Sequence, residues 1–282
     1  VFVGVLFLNR RPIPWCVMRR LLFEIAYRGT NYHGYQVQPN APTVAETLQD
    51  AIEAVFRKRE GIVGCSRTDT GVHANQFYFH MNTEATIPTE AAVIALNNHL
   101  PRDIAVLSCR QVPEDFHARY SVERKEYVYK IWDAPVRNPI LDGLVLHSRY
   151  RLEEKKLDVL AHEFCGTHDF IGFCSAGGKI HDTVRTIFDC GVTRSGDLVE
   201  FRVMGDGFLY NMVRIMVGTL LPLNRSRLKP GDITRIVESK ERSRAGITVP
   251  PDGLYLNRVL YGDRLEALGG ICEKERASAQ NL

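Results

Sequence analysis

The stretch GCSRTDTGVHANQFYFHM, residues 64–81, changes character half-way along. Its first part is polar and bounded by Gly64 and Gly71, with Asp69 between two threonines and Arg67 two residues before it. In its second part Phe77, Phe79 and Met81 alternate with Tyr78 and His80. Alternation of period two predicts a half-buried strand, and the glycine-bounded polar residues predict a loop leading into it. Upstream, RLLFEIAY (20–27) predicts a buried strand, followed by a Gly/Asn/Pro-rich loop over 28–42. Thr43 and Glu46 then form a capping box, and Val44, Leu48, Ile52 and Val55 recur at helical spacing. Downstream, residues 88–101 predict a second helix and 104–112 another strand, so the chain around the quoted stretch runs β-α-β-α-β.

RKEYVYKIWDA (124–134) alternates again and leads into a turn-rich segment, PVRNPILDG, where a domain junction is expected. Beyond it lie a helix over 152–164, a hairpin over 184–205 turning at Ser195-Gly196-Asp197, and an apolar helix over 208–221. A short helix within 230–240 and a strand over 253–262 complete the second unit. The expected fold is α+β: two ferredoxin-like, split-βαβ subdomains spanning 18–134 and 135–263, their antiparallel or mixed sheets flanked by helices, with a catalytic cleft between them. Residues 1–17 read as an upstream extension without order, and 264–282 as a C-terminal tail.

Composition is that of a globular domain: 45% hydrophobic and 24% charged residues in 282. A net charge of +3 is compatible with a nucleic-acid partner without requiring one. Seven scattered cysteines, with no CxxC, argue against a disulfide framework or a zinc knuckle and for reduced thiols. In HEFCGTH (162–168) the histidines are six apart and would face different sides of a helix, so no metal site is expected. The apolar run at residues 1–8 is too short to span a bilayer, and the expected location is cytoplasmic.

Four groups of residues invite a chemical reading. Asp69 in its loop is either a turn-former with a surface ion pair, or a carboxylate at a cleft edge kept ionised by Arg67. Arg214 lies in the almost wholly apolar FLYNMVRIMVGTLL (208–221), three residues from Asn211. A buried arginine needs an anion, so it forms a structural ion pair or meets Asp69 from the far half of the chain. Tyr127 and Tyr129 share one face of their strand, where they pack in the core or stack on a nucleobase. Gln36 and Gln38 among the tyrosines of 27–38, His73 in the loop, and Arg119 in FHARYSVERK (116–125) could contact RNA or simply face solvent.

CSRTDTGVHA resembles the Asp-centred signature of the tRNA pseudouridine synthase A family. Further blocks agree in order from about residue 18 to about 263, among them LNNHLPRDI, DFHARYS, GTHDF and GFLYNMVRIMVGTLL. The resemblance implies a cofactor-free isomerase that converts uridines at positions 38–40, in the tRNA anticodon stem–loop, to pseudouridine. It implies Asp69 as catalytic carboxylate, Tyr127 as active-site tyrosine, Arg214 as the partner of the aspartate, and a homodimer with a basic cleft for tRNA. Tyr35, Cys65-Ser66 and Thr70 depart from the usual pattern without touching the carboxylate, and residues 221–230 lack the glycines often found there. An inactive RNA-binding relative and a carboxylate-dependent nucleoside hydrolase are the rival readings. The second normally needs another carboxylate opposite the first, which the loop does not offer.

Overall fold

The computed structural model describes residues 18–175, 182–221 and 228–266. The expected extension 1–17, most of the expected tail and much of the segment 221–230 therefore lie outside the described residues.

The protein is α+β. Among the described residues the strands are β1 (Arg19–Tyr27), β2 (Ile62–Gly64), β3 (His73–Thr83), β4 (Ile104–Val112), β5 (Arg124–Asp133), β6 (Leu146–Ser148), β7 (Gly166–Asp169), β8 (Val184–Ser195), β9 (Leu198–Gly205) and β10 (Leu254–Leu260). The α-helices among the described residues are α1 (Val44–Phe56), α2 (Thr89–His99), α3 (Glu154–His162), α4 (Met212–Leu220), α5 (Asp232–Ser239) and α6 (Asp263–Glu266). The strands form one mixed sheet in the order β4-β1-β3-β10-β5-β9-β8-β7, with β2 paired to β3 and β6 to β5. β10, from the end of the chain, enters parallel to β3 and antiparallel to β5. The sheet thus crosses the sequence position of the expected junction unbroken. β5 pairs with β6, β9 and β10, all of which come from beyond residue 134.

Local chemistry explains the elements. The Thr43 hydroxyl accepts from the Glu46 amide at 3.4 Å and opens α1, whose Val44, Leu48, Ile52 and Phe56 are buried. The Phe23 and Phe79 rings stack with centroids 4.9 Å apart on neighbouring strands. β3 is not half-buried as its alternation predicts: Phe77, Phe79 and Met81 are at most 1% exposed, and Tyr78 and His80 only 3% and 5%. The second face is covered from residues distant in sequence. The Ala118 amide donates to His80 Nδ1 at 3.1 Å, and the Tyr261 ring meets Tyr78 edge-on.

The apolar helix also departs from expectation. It begins at Met212, not at 208, because Asn211 adopts a left-handed φ of 61° at its N-cap. Asparagine tolerates that conformation, which no α-helix continues through. α4 is buried around its circumference and lies so close to the segment before β10 that a Cβ on Gly218 would stand 1.9 Å from the Ile247 carbonyl oxygen. The same contact is tied by the Gly246 amide donating to Thr219 Oγ1 at 2.8 Å. Gly218→Ala must therefore push the helix from the backbone it rests on. We expect a loss of roughly 1–3 kcal/mol, read as a lowered denaturant midpoint; an unchanged midpoint would contradict this packing.

Candidate active site

The loop between β2 and β3 carries Asp69 and is fixed from both halves of the chain. The Tyr27 hydroxyl and Thr68 Oγ1 are 2.8 Å apart, and the Tyr35 amide donates to the Thr68 carbonyl at 3.2 Å. The Val72 amide donates to the Asp69 carbonyl at 3.1 Å and closes the turn. Gly71 has a φ of +79°, and its missing Cβ would lie 2.8 Å from Pro251. This glycine serves the turn and the approach of the second half; its role is packing within the protein.

Across from the loop stands Arg214. Its Nη1 lies 3.8 Å from Asp69 Oδ2, and side-chain exposures of 15% and 24% keep the pair largely out of solvent. The guanidinium is held on two other sides: Nε donates to the Val249 carbonyl at 2.7 Å and Nη1 to Asn211 Oδ1 at 2.7 Å. The Asn211 amide in turn donates to Ser175 Oγ at 3.0 Å. Among the described residues no group donates a hydrogen bond to the Asp69 carboxylate. The arginine supplies charge at a distance without donating a hydrogen bond to the carboxylate, whose side chain is 24% exposed. Burial raises the Asp69 carboxyl above the usual carboxylate range, and the Arg214 charge opposes that rise. Arg67, the neighbour in sequence, is exposed to solvent, so the cation facing Asp69 is the distant one.

Tyr127 projects from β5 with 7% exposure; its hydroxyl is 3.4 Å from Ser66 Oγ and its ring meets Phe208 edge-on at 5.0 Å. Burial is the main cause holding its phenol well above the usual range, and the Asp69 charge adds to it. Tyr129, on the same face, is fully buried and donates to the Pro250 carbonyl at 2.7 Å, so it packs beneath the site. His73 is 1% exposed with both ring nitrogens engaged. Nδ1 accepts from the Gly29 amide at 2.9 Å and Nε2 lies 3.0 Å from the Asp252 carbonyl, so His73 joins the two halves. Gln36, Gln38 and Arg119 are exposed; Gln38 donates to the His33 carbonyl at 2.6 Å. Ser66, Phe208 and Asn211 complete the surroundings without having been singled out as site residues. Their signal was positional, since each lies three to six residues from Asp69 or Arg214.

A family model described as tRNA pseudouridine synthase matches residues 25–121 and 160–262. The tRNA pseudouridine synthase A of Caldicellulosiruptor saccharolyticus is 44% identical over 244 residues, which cover 86% of this chain and 100% of that protein. That of Thermoanaerobacter sp. (strain X514) is 41% identical over 244 residues, with the same coverage of 86% and 100%. That of Staphylococcus aureus (strain MRSA252) is 39% identical over 249 residues, covering 88% of this chain and 94% of the relative.

Proposed function

The chain belongs to the tRNA pseudouridine synthase family, and on that basis we propose that it isomerises uridines of the anticodon stem–loop, at tRNA positions 38–40, with Asp69 as the reacting carboxylate. Pseudouridine synthases are isomerases, and the observation that supports this assignment of the site is the Asp69–Arg214 pair, whose carboxylate accepts no hydrogen bond from the described residues. The target uridine is extruded from the helical stack, at a cost of a few kcal/mol. The carboxylate then acts at the sugar–base junction. In one route an oxygen bonds to C1′ while the C1′–N1 electrons leave with uracil; in the other it takes the C2′ proton as the base departs. In both, the base turns and C5 bonds to C1′: in the first route the C1′–O bond breaks and its electrons return to the Asp69 carboxylate, and in the second Asp69 gives the proton back to C2′. The C5 proton is then lost and N1 is protonated. Each route needs Asp69 ionised, and the Arg214 charge favours that form.

Tyr127 packs on the base in this scheme. Its raised pKa keeps the phenol protonated near neutral pH, so a phenolate taking the C5 proton is disfavoured. Tyr127→Phe is expected to retain kcat within about tenfold, whereas Tyr127→Ala, which removes the ring, costs more; equal losses in single-turnover assays would contradict a packing role. Exposed Gln36, Arg67 and Arg119 are proposed RNA contacts, and the chain is proposed to act as a homodimer in the cytoplasm, where its tRNA substrate is. Among the described residues no helix is long and apolar enough to cross a membrane.

Mapping pseudouridine in tRNA incubated with the protein tests the assignment. Conversion within the anticodon stem–loop is the expected result. Release of free uracil would make the protein a hydrolase, and unchanged RNA a binding protein.

A further inference from the structure

Strand alternation puts Lys125 on the same face of β5 as Tyr127. Its Nζ reaches the loop that bears Asp69, donating to Ser66 Oγ at 3.5 Å, the oxygen that also lies 3.4 Å from the Tyr127 hydroxyl. Its other electrostatic neighbours are the Cys65 thiol and the Arg119 guanidinium. The thiol is neutral, pushed up to about 11 by burial, and Arg119 is a like charge. Among the described residues no carboxylate pairs with Lys125. Burial accordingly lowers the pKa of its ammonium.

Two other shielded cations have acid partners, while Arg19 and Arg242, also partly buried, are held by backbone carbonyls. Arg194 is met by Asp133 and by Glu154 at 2.5 and 2.9 Å, and Arg214 by Asp69. A cation withdrawn from water without a counter-ion costs free energy, and neutral serine and thiol groups do not offset it. If Lys125 served only to hold Ser66, a neutral donor would do so at less cost. The described residues thus leave this cation without an anionic partner, as a binding site for an external anion would. In an RNA bound with a uridine at Asp69, the only anionic group is the phosphodiester.

We propose that Lys125, with Arg119 on its outer side, holds a phosphodiester of the RNA adjoining the extruded uridine. The assignment rests on the reading of the Asp69 loop as the active site. It makes Lys125 a substrate-binding residue that fixes the register of the flipped nucleotide.

The test is affinity for an anticodon stem–loop RNA, made all-phosphate and with a single uncharged methylphosphonate at each linkage flanking the target uridine. For the wild-type protein, neutralising one of these linkages should weaken binding about tenfold, the scale of one charged hydrogen bond. Lys125→Met should weaken binding of the all-phosphate RNA by a similar factor and lose nothing more at that linkage, while Lys125→Arg should keep the sensitivity. Losses that multiply in Lys125→Met, or a wild-type protein indifferent to every flanking linkage, would overturn the proposal. The wild-type comparison stands even if Lys125→Met does not fold. Because binding is read separately from turnover, absence of pseudouridine in the same RNA would count against the isomerase assignment without deciding the role of Lys125.

Discussion

Asp69→Asn will lower kcat for pseudouridine formation by at least about four orders of magnitude, the scale on which an enzyme loses its reacting group, while tRNA binding survives. The substituted amide keeps the size and shape of the carboxylate but can neither bond to C1′ nor accept the C2′ proton, so both routes close. Folding should not suffer. Burial raises the Asp69 pKa, and a carboxyl whose pKa is higher in the folded state holds its proton more tightly there. Folding stability then falls as pH climbs through that titration and remains reduced at neutral pH, where the ionised group is strained by its surroundings. A neutral amide removes this cost, so the melting temperature of Asp69→Asn at neutral pH should equal or exceed that of the wild type. Single-turnover kinetics, tRNA affinity and thermal melting on one preparation separate a silent site from a collapsed one. Retained turnover would remove Asp69 from the chemistry altogether.

The parts of this molecule legible in sequence are those governed by local rules. The Thr43–Glu46 cap, the alternation of 76–81 and 124–134, and the hairpin turn at Gly196 each depend on neighbours within a few residues. β10 beside β3 does not: a parallel pair formed across some 180 residues leaves no mark in either strand's pattern. The same long-range cover buries both faces of β3, against its alternation. The start of α4 was hidden because apolar residues run through 208–210, while the left-handed φ of Asn211 is a backbone property that hydrophobic spacing does not report. At the site, the unpaired arginine within an apolar helix was the informative signal, since burial of a charge demands a partner. Arg67 was the weaker guide because nearness in sequence is not nearness in space. Lys125 is legible in sequence as the last residue of the basic cluster FHARYSVERK, two residues before Tyr127 on one strand face, but the lack of an acid around it among the described residues is visible only once the chain is folded.

Arg214→Met tests the pairing from the other side, and here pH is the discriminating variable. Two influences act on the Asp69 carboxyl: burial, the larger, raises its pKa, and Arg214 lowers it. Without the guanidinium the first acts unopposed, so the pKa moves further up and less of the enzyme carries an ionised Asp69 at any acidic pH. The acidic limb of the kcat profile should therefore shift to higher pH, with a loss that is greatest in acid and partly recovered as pH rises. A residual deficit of roughly 100-fold should persist at high pH, because the ionised carboxylate is no longer positioned against the guanidinium. Arg214→Lys is the complementary variant. It keeps a positive charge but cannot reproduce the fork in which Nε holds the Val249 carbonyl while Nη1 holds Asn211 and faces Asp69. Its acidic limb should stay close to that of the wild type while kcat falls, separating the charge that keeps Asp69 ionised from the geometry that aims it. An Arg214→Met profile with an unmoved acidic limb would mean that the guanidinium does not govern the ionisation of Asp69, and that the 3.8 Å between them is proximity without coupling.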